Sequence, residues 1–256
     1  MYEHIARYYD LSHDRLVDDI PFLLRLAAET RGPVVEIGCG SGRLLVPLIR
    51  AGFDVTGIDS SPEMLARAEL RLAAEPADIR ARARLVAGDI RTVDMQPARE
   101  FGLAVFGYNT FMHLDEAAAG AALKRLRPLL RADGRVVIDV AGPMLLSSSA
   151  DDPDFVLEDV LEDKARGSVI RQYTAYEAIP GEQAIDVTWV YEAGEGEATD
   201  ERARTRAKLR YHYFYPHQYD LILTLTGFRM MALYGDYDGS PFNEESERLI
   251  VLAAAA

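Results

Sequence analysis

The chain has 256 residues, 49 % of them hydrophobic, and a formal charge of −13 at pH 7. That length supports one large domain with room for an inserted part, and the acidic balance argues against a nucleic-acid partner, whose phosphates need a basic surface. The single cysteine, Cys39, excludes an internal disulfide and a cysteine-cluster metal site. No apolar run is long enough for a membrane span and no signal-peptide pattern opens the chain, so a cytoplasmic protein is expected.

Tyr2 to Asp10 reads as a short amphipathic helix with Ile5, Tyr8 and Tyr9 among its apolar positions. Asp18 to Glu29 reads as a second, with Ile20, Leu23, Leu24 and Ala27 on one face. Asp18 and Asp19 suit its first turn and Pro21 its early positions. Pro33 precedes an apolar strand that ends in Gly38-Cys39-Gly40-Ser41-Gly42, and a helical pattern follows from Arg43 to Ala51. Glycines at alternate positions permit a sharp turn and a close backbone approach to a ligand, and a helix start offers free N–H groups. The pattern alone suits a dinucleotide, another adenosine-containing cofactor or an ordinary tight turn.

The next strand, Phe53 to Ile58, ends at Asp59, about 20 residues beyond the glycines, where a carboxylate accepts from ribose hydroxyls in dinucleotide folds. Ser61 and Pro62 are a good N-cap and first residue for a helix to Ala73. A third strand, Arg84 to Gly88, ends at Asp89. Glu36, Asp59 and Asp89 thus stand at or near the C-terminal ends of three consecutive strands, the edge where open α/β sheets bind ligands. Phe101 to Gly107 reads as a fourth strand, Asp115 to about Leu130 as a helix, and Asp133-Gly134 as the turn into a fifth strand, Arg135 to Val140. This alternation means a parallel sheet with right-handed crossovers.

From Phe155 to Tyr213 the period changes to two. Ile185, Val187, Trp189 and Tyr191 point one way and Asp186, Thr188 and Glu192 the other, and Pro180-Gly181-Glu182 turns the chain from a strand over Ser168 to Ala178. Arg202, Arg204, Arg206, Lys208 and Arg210 form a charged strand face, for which a solvated face paired with carboxylates is preferred over an anion-binding surface. Gly194 to Asp200 reads as an exposed linker. A helix from Pro216 to Thr226, closed by Gly227, and two strands, Phe228 to Tyr234 and Arg248 to Ala253, complete the chain.

Three motifs, Glu36-Ile37-Gly38-Cys39-Gly40-Ser41-Gly42-Arg43, then Gly57-Ile58-Asp59-Ser60-Ser61-Pro62-Glu63-Met64-Leu65, then Gly88-Asp89-Ile90, in this order and spacing resemble the class I S-adenosylmethionine-dependent methyltransferases. The resemblance covers about Tyr8 to Val140. It implies an α/β, Rossmann-like, seven-stranded, mostly parallel sheet closed by a C-terminal antiparallel hairpin. The expected organisation is a single domain over 1–256, with its core in 1–150 and 214–256 and an inserted antiparallel β lid over about 155–213.

The implied cofactor is S-adenosyl-L-methionine. The resemblance puts Asp59, with Ser60, on its ribose, and Glu36, Gly38, Gly40 and Gly42 around its methionine part. Met64 would meet the adenine face, Asp89 the adenine amino group and Ile90 the ring through its N–H. Gly88 and Phe106 complete the expected contacts. The plainer alternatives are a strand-end carboxylate for Asp59, a core residue for Met64, a ligand-free Asp-x-Arg turn for Asp89, and a buried space-filler for Cys39. Tyr9, which matches the family's Tyr-Asp pair through Tyr9-Asp10, is expected over the sulfonium with Tyr8, since an aromatic ring favours a cation.

Gly107-Tyr108-Asn109-Thr110-Phe111-Met112-His113-Leu114 follows the fourth strand at the same edge, and the chain lacks the Asp/Asn-Pro-Pro-Tyr signature of methyltransferases acting on base or glutamine amino groups. It resembles the amino-sugar N-methyltransferases of antibiotic pathways, which implies a small-molecule acceptor methylated on N or O. His113 is the candidate general base and Tyr9 its companion in the catalytic set; the alternative for His113 is a cap on the helix begun at Asp115. Tyr173, Trp189, Tyr211, Tyr213, Tyr234 and Tyr237 are candidates for the acceptor wall. No metal site is indicated. A protein that binds S-adenosylmethionine without methyl transfer and an NAD-dependent oxidoreductase remain as alternative functions, and the oligomeric state stays open, a homodimer included.

Overall fold

The structure is a computed structural model and describes residues 5–95, 100–148, 151–194 and 204–256. Helices α1 (Ala6–His13) and α2 (Asp19–Thr30) lead into β1 (Val34–Ile37), α3 (Leu45–Arg50), β2 (Val55–Asp59), α4 (Pro62–Ala73), α5 (Ala77–Arg80) and β3 (Ala83–Ala87). Then come β4 (Phe101–Phe106), α6 (Glu116–Leu126), β5 (Leu130–Ala141) and α7 (Pro143–Ser148). Four further strands follow, β6 (Asp151–Asp163), β7 (Ser168–Ile179), β8 (Ala184–Gly194) and β9 (Arg204–His212), before α8 (Pro216–Leu225), β10 (Phe228–Tyr234) and β11 (Arg248–Ala255).

Seven strands make one sheet in the order β10-β11-β5-β4-β1-β2-β3. The pairs β1–β2, β2–β3, β1–β4 and β4–β5 are parallel, and β11 runs antiparallel to both β5 and β10. Every residue of β1 and β4 is buried, as central parallel strands covered on both faces require. One face packs Phe111, Leu123, Tyr219 and Leu223 from the α6 and α8 side; the other packs Phe22, Leu26, Leu45 and Ile49 from α2 and α3. The expected seven-stranded sheet with its closing hairpin is the one present.

Local departures have physical causes. The helix after the glycines begins at Leu45, not Arg43. Pro47 has no N–H to return to the Arg43 carbonyl, so the first turn stays irregular. Asp133-Gly134 is not a turn before the fifth strand but an irregularity inside β5. Its pairing with β4 jumps from Leu130↔Phe101 to Arg135↔Leu103 because Leu130 already anchors the strand, fully buried. Helices α5 and α7, of 4 and 6 residues, are too short to leave a periodic signal and were not expected.

The strands β6-β7-β8-β9 form a separate antiparallel sheet in chain order, inserted between β5 and α8. It starts at Asp151, earlier than expected. Both faces of β8 are covered. Ile185, Val187 and Tyr191 pack inward, while Asp186, Thr188 and Glu192, on the opposite side of the strand, are buried too. Cations of the next strand lie across them: Arg210 and Lys208 pair with Asp186 at 2.7 and 2.9 Å, and Arg204 with Glu192 at 2.6 Å. The basic stripe is therefore a carboxylate-paired face. The linker expected over Gly194 to Asp200, together with Arg202, lies outside the described residues from 195 onward, as does the start of the first helix at Tyr2.

Helix α1 joins the two sheets. Asp10 pairs with Arg67 of α4, and Asp14 with Arg71 at 2.8 Å. On the lid side Arg7 pairs with Asp163 at 2.8 Å, and Tyr8 stacks on Tyr191 with centroids 4.5 Å apart. No helix among the described residues is long and apolar enough to cross a membrane.

Candidate active site

The glycine turn is closed by its own backbone. The N–H groups of Gly38 and Cys39 both donate to the Ile58 carbonyl, at 2.8 and 3.0 Å. Gly38 and Gly40 have φ of 67° and 54°, a region that disfavours any residue with a Cβ. A Cβ on Gly38 would also lie 2.4 Å from Cγ2 of Thr110. Asp59 Oδ2 accepts from Gly40 N–H and Oδ1 from Ser61 N–H, each at 2.8 Å, leaving lone pairs for further donors. Burial raises the Asp59 pKa and these backbone bonds oppose the rise.

A cavity of about 400 Å³ opens at this edge of the sheet. Of the residues expected to hold a cofactor, all but Glu36 and Gly42 line it. Gly42 faces α4, where a Cβ would sit 3.5 Å from that of Ala68. Glu36 is buried two residues before Gly38, and its Oε2 has no partner among the described residues. Burial pushes its carboxyl up to about 8, against the pull of Arg43. Met64 is buried at the start of α4, where its N–H donates to the Ser61 hydroxyl at 3.3 Å. Asp89 lines the cavity and is held by Arg91, whose backbone N–H and Nε donate to Oδ1 at 2.8 and 2.9 Å. The Arg91 guanidinium holds the Asp89 carboxyl below its usual range. Cys39 is a buried free thiol packed against Gly57, and burial raises its pKa.

A second cavity of about 540 Å³ lies between the lid and the core. The two share Tyr9, His13, Tyr108, Asn109 and Tyr211 as a common wall. Tyr9 stacks on His13 with centroids 3.7 Å apart, and the edge of Tyr108 meets His13 at 5.4 Å. Tyr108 and Asn109 both have left-handed backbone, φ 32° and 67°. They are held by Asp139: its carbonyl accepts from Asn109 N–H at 2.8 Å and its Oδ2 from Tyr108 N–H at 3.2 Å. Asp139 also accepts from Tyr237 OH at 2.9 Å and Arg248 Nε at 3.0 Å. Arg248 and Arg43 lie over the Tyr108 ring, at 4.8 and 5.7 Å from its centroid. Arg43 is fixed in turn by Asp19, through bonds of 2.9 and 2.6 Å.

Residues 34–134 match the family model described as a methyltransferase domain. Over 98 % of both chains the protein is 24 % identical to one from Geobacillus sp. (strain WCH70) whose assignment as a methyltransferase is itself provisional. The structure of the CcbJ methyltransferase from Streptomyces caelestis superposes with a TM-score of 0.77 and 24 % identity, covering 93 % of this chain and 94 % of that one. An amino pentose methyltransferase of calicheamicin biosynthesis from Micromonospora echinaspora, solved with S-adenosylmethionine bound, superposes with a TM-score of 0.72 and 18 % identity, covering 98 % and 97 %. The fold is that of the S-adenosylmethionine-dependent methyltransferases.

A 3₁₀ turn, Thr110–His113, follows the fourth strand. His113 does not cap α6, because Asp115 does so with its own carboxylate, accepting from Ala118 N–H at 2.8 Å. His113 lines the first cavity, 5.0 Å from the Tyr211 ring, and is absent from the wall of the second. His13, which sequence reasoning missed, lines both. Its Nδ1 is 2.9 Å from the Tyr9 carbonyl and 2.7 Å from the Ser12 hydroxyl, so that nitrogen is engaged within α1. Burial lowers both imidazoles to about 4. The available signal for His13 was its place four residues after Tyr9, on the same helical face. Tyr8, expected beside Tyr9 at the sulfonium, instead packs into the lid against Tyr191. Of the candidate acceptor-wall aromatics, Trp189 and Tyr211 line the second cavity; Tyr173, Tyr213, Tyr234 and Tyr237 line neither.

The residues present fit a cationic, adenosine-containing cofactor. Gly38 and Gly40 leave a cradle that a Cβ would fill, and Glu36 keeps a buried oxygen without a donor behind it. Among the described residues no group of three or more His, Cys, Asp or Glu side chains could hold a metal ion.

Proposed function

We propose that the protein is an S-adenosylmethionine-dependent methyltransferase that acts on an N or O atom of a small molecule. The observation that carries this reading is the pair of cavities meeting at one wall, one against the glycine turn and the other under the lid. When bound, S-adenosylmethionine supplies an electrophilic methyl group on a sulfonium. Glu36, Gly38, Gly40 and Gly42 would shape the methionine end of its site, Asp59 and Ser60 the ribose end, and Met64, Gly88, Asp89, Ile90 and Phe106 the adenine end.

Tyr9 stands at the shared wall, on α1, where its ring would lie near the sulfonium. This chain's main contribution is alignment of an acceptor atom across that wall, because a single displacement needs reach and angle more than functional groups. An amine acceptor attacks with its own lone pair; a hydroxyl needs its proton taken. His13 and His113 are neutral near pH 7 and can each accept one, and His13 lines both cavities.

The test is calorimetric titration with S-adenosylhomocysteine and with NAD, on the native chain and on Asp59→Ala. Binding of the first alone, lost in the variant, supports the reading. Binding of NAD alone would replace it with an oxidoreductase.

A further inference from the structure

The wall of the second cavity has a chemical bias. It carries two carboxylates, Glu158 and Asp159, and the rings of Tyr176, Trp189, Tyr191 and Tyr211. Its one guanidinium among the described residues, Arg15, is already paired with Asp159. Glu158 sits at a bulge of β6, where the pairing passes from Leu157↔Tyr173 to Asp159↔Gln172 and leaves it unopposed. Its carboxylate accepts from Gln172 Nε2 at 2.8 Å, from the Thr174 hydroxyl and from Tyr176 OH at 3.3 Å. Three donors from β7 thus fix an anion at the cavity wall.

Gln172 gives the second, independent sign. It is 7 % exposed, lines the cavity, and spends its amide N–H on Glu158. Its amide oxygen has no partner among the described residues. A buried carbonyl left without a donor costs free energy, so its place in a cavity wall calls for a donor from a ligand. An N–H group that reached Gln172 Oε1 would lie beside the Glu158 carboxylate and among aromatic rings, whose faces favour cations.

We propose that this cavity seats a protonated, non-reacting amine of the methyl acceptor, held by Gln172 Oε1 and the Glu158 carboxylate within the lid aromatics. The acceptor is therefore a cationic small molecule with a second group, N or O, that reaches the shared wall. Anionic acceptors are disfavoured, because two carboxylates against one paired guanidinium leave the wall negative. The inference rests on the methyl-transfer reading only for the word acceptor.

Trp189 is the chain's single tryptophan and stands in this wall, so its fluorescence reports on the cavity alone. The experiment compares quenching by caesium chloride and by potassium iodide at equal ionic strength, with S-adenosylhomocysteine titrated calorimetrically into the same samples. Caesium is expected to quench about threefold more effectively than iodide, since a charged cleft concentrates counter-ions. Glu158→Gln should cut that ratio by about half, and Asp159→Asn, which frees Arg15, should cut it further. Glu69→Gln, the same loss of charge on an exposed face of α4, should leave it unchanged. Equal quenching by the two ions, or a ratio that Glu158→Gln and Asp159→Asn both leave unmoved, overturns the proposal. If S-adenosylhomocysteine still binds in that case, the acceptor class alone falls; if the native chain does not bind it, the methyl-transfer reading falls and takes the acceptor with it.

Discussion

The backbone N–H of Gly40 donates to Oδ2 of Asp59 at 2.8 Å, so the carboxylate expected on the ribose is also part of the glycine turn. Asp59→Asn keeps the shape but sets an amide NH₂ against one of two backbone donors. It should lower stability by about 1–3 kcal/mol and weaken S-adenosylhomocysteine binding at least about tenfold, the loss of one good hydrogen bond to a charged group. Calorimetry and thermal melting read the two effects separately; a variant that melts early and binds normally would confine Asp59 to the turn.

Gly38 has a steric neighbour that can be removed. Gly38→Ala places a Cβ 2.4 Å from Thr110 Cγ2 at a φ of 67°, so both clash and backbone strain oppose it. The strain alone is worth about 1–2 kcal/mol. Thr110→Ser deletes Cγ2, and the double variant should recover the clash but not the strain. Chemical denaturation of the four proteins in a double-mutant cycle measures the coupling; additive losses would mean that the two sites relax independently.

The imidazoles set an acid limit. Burial holds His13 and His113 near 4, whereas an unfolded histidine titrates near 6.5. Between those values the unfolded chain binds more protons than the fold, so stability is full above about pH 6.5 and falls as the pH drops toward 4. His113→Gln should flatten that decline in a series of melts from pH 7 to pH 4, and an unchanged slope would show that other groups cause it.

The same two residues separate in turnover. His13→Gln should cut turnover on a hydroxyl acceptor by roughly 10²-fold, the usual yield of a positioned base, with S-adenosylhomocysteine binding preserved. His113→Gln should cost less, since its ring borders only the cofactor-side cavity. The reverse order of effects would return the base to His113.

Arg248 is the only partner of charge for buried Asp139 that the hydrogen bonds among the described residues provide. Arg248→Met leaves that carboxylate uncompensated and should destabilise the chain by about 3–5 kcal/mol. It also removes one of the two cations over the Tyr108 ring, so the shared wall loosens. Asp139→Asn with Arg248→Met should recover part of the stability, which a denaturant series on the single and double variants would show.

The parts legible in the sequence were those with local chemistry. Glycines at alternate positions, Asp59 and Asp89 at strand ends, and the Ser61-Pro62 helix start each declare themselves within a few residues. Asp139 ends β5 in the same manner and was readable as a fourth such carboxylate, but its partners Tyr237 and Arg248 are 98 and 109 residues away. Tyr8 and Tyr9 show the opposite limit. A helix turns neighbours about 100° apart, so one ring enters the lid and the other the cavity wall, a difference that helix docking decides. The burial of Asp186 and Glu192 was hidden for a related reason: strand alternation gives a side to each residue, but not which long cations of the next strand lie over it.

The place of β11 between β5 and β10 has a consequence during synthesis. The inner edge of β5 waits unpaired until Arg248 to Ala255 are made, after all of the lid strands. At roughly 5–20 residues per second the ribosome needs on the order of ten seconds to cross that interval. The lid hairpins pair with near neighbours in sequence and can close within it, whereas the central sheet is completed only by its last-made strand. The newborn chain therefore carries an open β edge, the kind of surface that chaperones shield, until β11 has been made.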